Sequence, residues 1–353
     1  MMKLMITGGA GFIGSNFVHH MLDHHPDYRI TVVDALTYAG NLNNLDTALA
    51  NPNLSFVKVD ICDPAVSDVI AGCDLVVNFA AESHVDRSIE DARHFVRTNV
   101  EGTWRLLEAC RETGVRRFLQ VSTDEVYGSL GADGTFREDS PVAPSSPYSA
   151  TKAAADLMVM AYVTTHKFPA IVTRCSNNYG PYQFPEKFIP LMIMQAIKGE
   201  FLPIYGDGTN IRDWIHVHDH CRALDLILHE GSDGEVYNIG GNCEMRNIDV
   251  ATRILELLGR PKTLIRMVAD RPGHDHRYAV DCSKLQTTLG WNPVWDFDRG
   301  LHETIQWYRD NSPWLDQVQT GAYLEYFDRQ YLKRNSPSDK STLSSPRRLH
   351  MMA

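Results

Sequence analysis

The chain has 353 residues, with 34 Lys and Arg against 44 Asp and Glu, for a formal net charge of −10. Its 43% hydrophobic and 22% charged content is that of a folded globular protein, and excludes disorder over most of the length. The acidic balance argues against a nucleic-acid partner, which demands clustered Lys and Arg, and the length exceeds one domain of ~100–150 residues. No apolar run approaches the ~20 residues of a membrane helix, and residues 1–8 read as a strand entering a glycine loop rather than a cleavable signal. Seven cysteines at positions 62, 73, 110, 175, 221, 243 and 282 include no Cys-x-x-Cys. An odd, unpatterned set suits a reducing compartment, so a cytoplasmic location is expected.

In chain order, short apolar runs predict strands over 4–7, 30–34, 54–58, 75–79, 118–122 and 170–174. Amphipathic stretches predict helices over 12–25, 93–113 and 149–167 between them. Repeated β-α-β order implies right-handed crossovers and a doubly wound parallel sheet, an α/β architecture. Residues 1–176 are expected to form this first domain, with a later segment of about 214–245 returning to it. After Arg174 a run rich in Pro, Gly and aromatics (177–187) marks a long irregular segment of the kind that carries function. Residues 177–334 are assigned mainly to a smaller C-terminal α/β substrate domain. The Ser/Pro/basic tail 335–353 is expected to be disordered.

Two histidine patterns invite a metal reading. His216-Val217-His218-Asp219-His220 is expected instead to end a strand, with Asp219 capping a helix over 221–229, and no partner has zinc-site spacing. His19-His20 and His24-His25 read as solvated on or after a surface helix. No metal is expected. The aromatic run 323–331 is expected to pack against the second domain.

Thr7-Gly8-Gly9-Ala10-Gly11-Phe12-Ile13-Gly14 sets glycines three apart between a strand and a helix. Gly8 permits a tight turn, Gly11 lets a pyrophosphate approach, and Gly14 permits close helix–strand packing. This is a Rossmann-type dinucleotide signature. Asp34 ends the second strand about twenty residues further on, where a carboxylate meets ribose hydroxyls. No Lys or Arg follows in Ala35-Leu36-Thr37, which favours NAD over NADP. Asp60-Ile61 could face the adenine, and Asn78-Phe79-Ala80-Ala81 offers small residues at the sheet edge. Thr98-Asn99 places an Asn inside a helix, mildly unfavourable without a polar task.

Ser122-Thr123-Asp124-Glu125 ends the fifth strand, and Tyr148-Ser149-Ala150-Thr151-Lys152 puts a phenol and an ammonium on one helical face. A lysine beside the phenol is expected to lower its pKa and make a base useful near neutrality. At this point the chain resembles the extended short-chain dehydrogenase/reductase family and, within it, the nucleotide-sugar 4,6-dehydratases. The resemblance runs from about residue 3 to residue 332. Its carriers are Ala80-Ala81-Glu82-Ser83-His84-Val85-Asp86-Arg87-Ser88, residues 122–128, 148–152 and 174–187, Ile211-Arg212-Asp213-Trp214 and Arg271-Pro272-Gly273-His274-Asp275.

The resemblance implies a nucleoside-diphosphate sugar substrate, dTDP-glucose, and catalysis by Thr123, Asp124, Glu125, Tyr148 and Lys152. Tyr148 would deprotonate the C4 hydroxyl as hydride passes to NAD, Glu125 would take the C5 proton, and Asp124 would protonate the departing C6 hydroxyl. Hydride return gives a 4-keto-6-deoxy sugar. The cofactor set implied is Gly8, Gly11, Phe12, Ile13, Gly14, Asp34, Ala35, Thr37, Asp60, Ile61, Phe79, Ala80, Ala81, Ser83, Thr98, Tyr148, Lys152 and Asn178. Ser83, His84, Thr123, Asn177, Lys187, Phe188, Pro203, Tyr205, Arg212, Asn247, Arg271, His274, Arg277 and Tyr278 are placed against the substrate. A homodimer through helices 93–113 and 149–167 is implied as well. Residue physics alone does not separate thymine from uracil, so a UDP-glucose dehydratase stays open, as does a 4-epimerase.

Overall fold

Seven parallel strands form the central sheet in the order Val236–Ile239, Ala170–Cys175, Arg117–Thr123, Leu75–Asn78, Lys3–Thr7, Arg29–Asp34, Leu54–Lys58. The computed structural model describes residues 1–318 and Tyr331. The chain starts mid-sheet, builds outward to one edge, then returns past its first strand to build the other. That reversal opens a crevice at the carboxyl ends of the first and fourth strands.

Alternation along each strand sorts the core into two layers. Leu4, Ile6, Val32, Val77 and Leu119 face helices Phe12–His24 and Val217–Glu230. Met5, Val33, Val76 and Phe118 face the other way, toward Thr103–Thr113 and Pro147–His166. Neighbouring strands are also tied by a buried polar crossbar: Thr7 Oγ1 donates to Asn78 Oδ1 at 2.6 Å, and Asn78 Nδ2 donates to Gln120 Oε1 at 2.9 Å.

A separate core gathers Ile189, Met192, Ile193, Trp214, Ile254, Leu255, Leu301 and Tyr308 from helices Phe188–Lys198, Asn247–Leu257 and Phe297–Asp310 and the strand Ile211–His216. Two small sheets accompany it, one of Glu244–Arg246, Ile211–His216 and Asn177–Tyr179, the other of Ile265–Val268 and Leu202–Tyr205. Within 214–245, the helix Val217–Glu230 and strand Val236–Ile239 join the first core, while residues 214–216 stay in the small sheet. The run 323–331, apart from Tyr331, and the tail 335–353 lie outside the described residues. Among the described residues no helix is long and apolar enough to cross a membrane, and all seven cysteines are free.

Three local expectations are corrected. The predicted helix 93–113 is broken by a π-helical turn, Val96–Gly102. Its Asn99, 1% exposed, accepts from Glu82 N and donates to Glu82 O and Thr151 Oγ1 at 2.9–3.0 Å, which is the polar task the sequence left open. The helix after His216 begins at Val217, with the His216 side chain as its cap. Asp219 is not that cap: its Oδ2 accepts from the backbone N–H groups of Val294 and Trp295, both at 2.9 Å, tying down the far loop. Of the N-terminal histidines only His24 is exposed as expected. His19 contacts Asn44 O at 2.8 Å, while His20 and His25 converge on Asp225.

The Tyr148 helix starts earlier than its apolar periodicity suggests, at Pro147, because Ser146 and Ser149 form a reciprocal capping box. Loss of that cap in Ser146→Ala is expected to cost about 1 kcal/mol in chemical denaturation.

Candidate active site

The glycine loop is built by contact distances. A Cβ on Gly14 would lie 2.2 Å from Gly8 O, and one on Gly8 would lie 2.6 Å from Ala80 N. Only hydrogen fits at either place, so helix Phe12–His24 seats directly on the sheet edge with its N-terminal amides facing the crevice. The φ of Gly8 is +65°, a left-handed turn that favours glycine. A cavity of about 300 Å³ opens above this turn. Every residue expected to hold the dinucleotide lines it, together with all five expected catalytic side chains.

Asp34 is 8% exposed; its two oxygens accept from Ala10 N at 3.0 Å and Leu36 N at 2.8 Å. Burial pushes its carboxyl up while those two backbone donors pull it down. Among the described residues no Arg lines this cavity, so a ribose 2′-phosphate would meet the Asp34 carboxylate without a guanidinium partner from them. The glycine cradle and a carboxylate at the ribose position fit NAD. Asp60 also lines the cavity, with Oδ1 accepting from Cys62 N and Oδ2 from Arg97, both at 2.9 Å.

The strand Arg117–Thr123 ends where Thr123 Oγ1 accepts from Glu125 N at 3.3 Å, capping a 3-10 turn Asp124–Tyr127. That cap holds Asp124 and Glu125 beside Tyr148. Asp124 is 1% exposed, and its Oδ2 has no hydrogen-bond partner. Burial, then the Glu125 and Asp213 charges, holds its carboxyl well above the usual range. Glu125 is raised by burial as well, but Arg271, Lys187 and Arg212 oppose the shift. Both carboxyls are therefore raised, but unequally: Asp124 well above its usual range, Glu125 less so because three cations offset part of the burial effect.

Tyr148 departs from expectation. Burial, then the Glu125 charge, pushes its phenol well up, with a Thr123 hydrogen bond pulling back. The Lys152 ammonium does not lower it here, because Nζ is turned to Val121 O at 2.7 Å. Burial lowers Lys152 itself, opposed by the nearby Asp156 carboxylate.

A second cavity of about 150 Å³ shares His84, Glu125, Asn177 and Lys187 with the first. Phe188, Pro203, Tyr205, Arg212, Asn247, Arg271, His274 and Tyr278 line it, so cations from three separate segments face one space. The Arg212 guanidinium stacks 4.4 Å over the Tyr278 ring and donates to Asp275 O at 2.9 Å. Lys187 Nζ donates to Ser83 O at 2.7 Å.

Residues 5–304 match the family model described as GDP-mannose 4,6 dehydratase. A low-salt glycan biosynthesis protein, Agl12, of Haloferax volcanii is 54% identical, over 87% of this chain and 98% of its own. A dTDP-glucose 4,6-dehydratase of Streptomyces niveus is 50% identical over 90% of this chain and 96% of its own. This chain belongs to that dehydratase family. The crystal structure of DesIV, a dTDP-glucose 4,6-dehydratase from Streptomyces venezuelae with NAD and dTDP bound, superposes with a TM-score of 0.88 at 48% identity, covering 90% of this chain and all of that one. A UDP-glucose 4-epimerase of Thermus thermophilus with NAD shares the fold at 28% identity and a TM-score of 0.81, covering 88% of this chain and all of its own.

Within this family frame, one expected substrate residue is not where the sequence put it. Arg277 lines neither cavity; its guanidinium is held by Glu244 and by Gly134 O at 2.9 Å, which ties together two loops at the rim. The histidines 216, 218 and 220 do not converge either. His216 stacks on Trp295 at 4.2 Å, whereas His220 Nδ1 contacts Asn178 Oδ1 at 2.9 Å. Sequence reasoning missed Tyr38, Gln183, Phe184 and Cys175, which complete the first cavity. Tyr38 carries a signal only in hindsight, lying one residue beyond Thr37. The Arg87 guanidinium lies 4.4 Å over its ring and forks onto Glu186, whose side chain is 1% exposed. Arg87→Met strips a buried carboxylate of its guanidinium and is expected to cost about 3–5 kcal/mol in unfolding experiments. Glu186→Gln, which removes the charge instead, is expected to cost less.

Proposed function

We propose that this chain converts dTDP-glucose to dTDP-4-keto-6-deoxyglucose, with loss of water and tightly held NAD. The observation that carries this reading is the Thr123-Asp124-Glu125 turn, which lines the first cavity and through Glu125 the second, and sets two unequally raised acids beside Tyr148. A 4-epimerase needs no such acid pair. NAD bound in the first cavity takes hydride from C4 and returns it to C6, so it is recycled rather than consumed. Tyr148 takes the proton of the C4 hydroxyl as a phenolate, a form that burial disfavours and that the positive charge of NAD bound in the same cavity would favour. The resulting ketone acidifies C5, and Glu125 removes that proton. Asp124, kept protonated by burial and its neighbours, donates to the departing C6 hydroxyl. Lys187, Arg212 and Arg271 face the diphosphate, where guanidiniums bind phosphate oxygens bidentately.

Free thiols in every cysteine support a reducing, cytoplasmic setting. A homodimer is supported by exposed apolar side chains on the two expected pairing helices: Val96 at 52%, Trp104 at 41% and Leu157 at 61%. Leu157→Glu is expected to yield a monomer by light scattering.

Incubation with dTDP-glucose should yield a 4-keto sugar visible in alkali, and Tyr148→Phe should abolish it. Glu125→Gln should lose exchange of the C5 proton with solvent, and Asp124→Asn should slow loss of water most, each by about 10²–10⁴-fold. Because Asp124 works protonated, elimination should fall as pH rises through its raised pKa, and Asp124→Asn should flatten that limb. Normal turnover and C5 exchange in Glu125→Gln would overturn the elimination reading and leave epimerisation.

A further inference from the structure

The helices Phe12–His24 and Val217–Glu230 pack side by side, and at one end they bring together residues about 200 positions apart. His25 Nε2 and His229 Nδ1 each lie 2.9 Å from Asp225 Oδ1, and their rings stack with centroids 4.7 Å apart. The three ligand-type atoms all lie within 4.8 Å of one another. The surrounding groups are equally specific. His20 Nε2 meets the other carboxylate oxygen, Oδ2, at 2.9 Å, and Tyr28 Oη meets His229 Nε2 at 2.9 Å. The side chains are 12–26% exposed, open to small solutes on one side. None of these residues lines either active-site cavity.

We propose that His25, Asp225 and His229 form a peripheral site for one divalent transition-metal ion of the imidazole-binding class, such as zinc, cobalt or nickel. Two imidazole nitrogens and one carboxylate oxygen around a single point leave a fourth position for water, as in three-ligand zinc sites. His20 orients the carboxylate through its second oxygen, and Tyr28 fixes the His229 ring through the nitrogen away from the metal, the kind of outer support metal sites rely on. Tetrahedral bonds of ~2.0–2.1 Å place donors about 3.3 Å apart, so the present contacts open by roughly 0.4 Å on loading. The His25 and His229 tautomers shift so that Nε2 and Nδ1, respectively, carry lone pairs, and the 2.8 Å contact of His229 Nδ1 with the Asp225 backbone carbonyl is given up on loading. No redox change or covalent step is involved.

The electrostatics supply a charged acceptor. Burial opposes it, but hydrogen bonds from His20 and His229 hold the Asp225 carboxyl well below the usual range. His229 is raised by its bond to Asp225, against burial and the Arg117 charge.

The test uses full-length protein without a histidine tag, treated with chelator and titrated with Co²⁺. One equivalent per chain should give the visible bands of a four-coordinate cobalt centre, and Zn²⁺ should displace them. His25→Ala and His229→Ala should each abolish the bands while sugar dehydration continues. His20→Phe and Tyr28→Phe should weaken binding ~10–100-fold with unchanged stoichiometry. No saturable bands at millimolar Co²⁺, or bands undiminished in folded His25→Ala, would overturn the site and leave a hydrogen-bonded histidine–carboxylate cluster. Dehydration activity is read separately, so failure of that activity does not bear on the metal result.

Discussion

Everything at the crevice depends on how closely one helix can approach one strand turn. Gly14 stands so near Gly8 that no side-chain atom fits between them, and Gly8 so near Ala80 that the first and fourth strand ends touch through backbone alone. A larger residue would lift helix Phe12–His24 off the sheet. Its free amides would then no longer face the space above Asp34, and the cavity would lose its floor. The same seating sets how deep Phe17, Val18 and Met21 sink against the helix Val217–Glu230. Cofactor geometry and core packing are thus one constraint met twice.

On that floor the fifth strand delivers its chemistry by termination. Thr123 ends the strand and caps the next turn with the hydroxyl that also donates to Asp124 Oδ1 at 3.4 Å. Asp124 and Glu125 are therefore held mainly by the turn, with the Thr123 hydroxyl as the one side-chain donor to Asp124 among the described residues. The result is an acid pair that burial raises together and neighbours separate: Asp124 faces Glu125 and Asp213, while three cations offset part of the rise at Glu125. Stabilising the fold alone would favour salt-bridging these acids. The structure instead leaves Asp124 Oδ2 without a hydrogen-bond partner, strain of the kind that reactive sites retain.

Local pattern made much of this readable from sequence. The glycine spacing, Asp34 and Tyr148-x-x-x-Lys152 announce themselves because their geometry is set by a single turn or one helical face, and all line one cavity. Five of the six early strands read well because both their faces are buried; Leu54–Lys58, at the sheet edge, is only partly buried. What escaped was set by distant partners. The π turn at Val96–Gly102 accompanies Gly102 packing onto Ile61, where a Cβ would come within 2.5 Å. Asp219 looked like a cap because its bonds to Val294 and Trp295 cross about 75 residues. Arg277 looked like a phosphate ligand because Glu244 was not visible as its partner. Lys152 was expected to act on its neighbour on the helix, yet it reaches across to the strand carbonyl of Val121. Periodicity reports which face a side chain occupies, but not which atom it meets there.

The seventh strand has a consequence for how the molecule is made. Ala170–Cys175 is buried at every position, yet its outer neighbour Val236–Ile239 is about sixty residues further along the chain. During synthesis at ~5–20 residues per second, that apolar edge waits on the order of 3–12 s for its partner. Its free N–H and C=O groups are for that interval a template for another nascent chain. The α-helix Val217–Glu230 emerges first and can shelter one face, but not the edge itself. Crowded polysomes and slow translation therefore endanger this protein more than its finished fold suggests, and slower decoding between residues 176 and 235 does not help it. Speeding that stretch does.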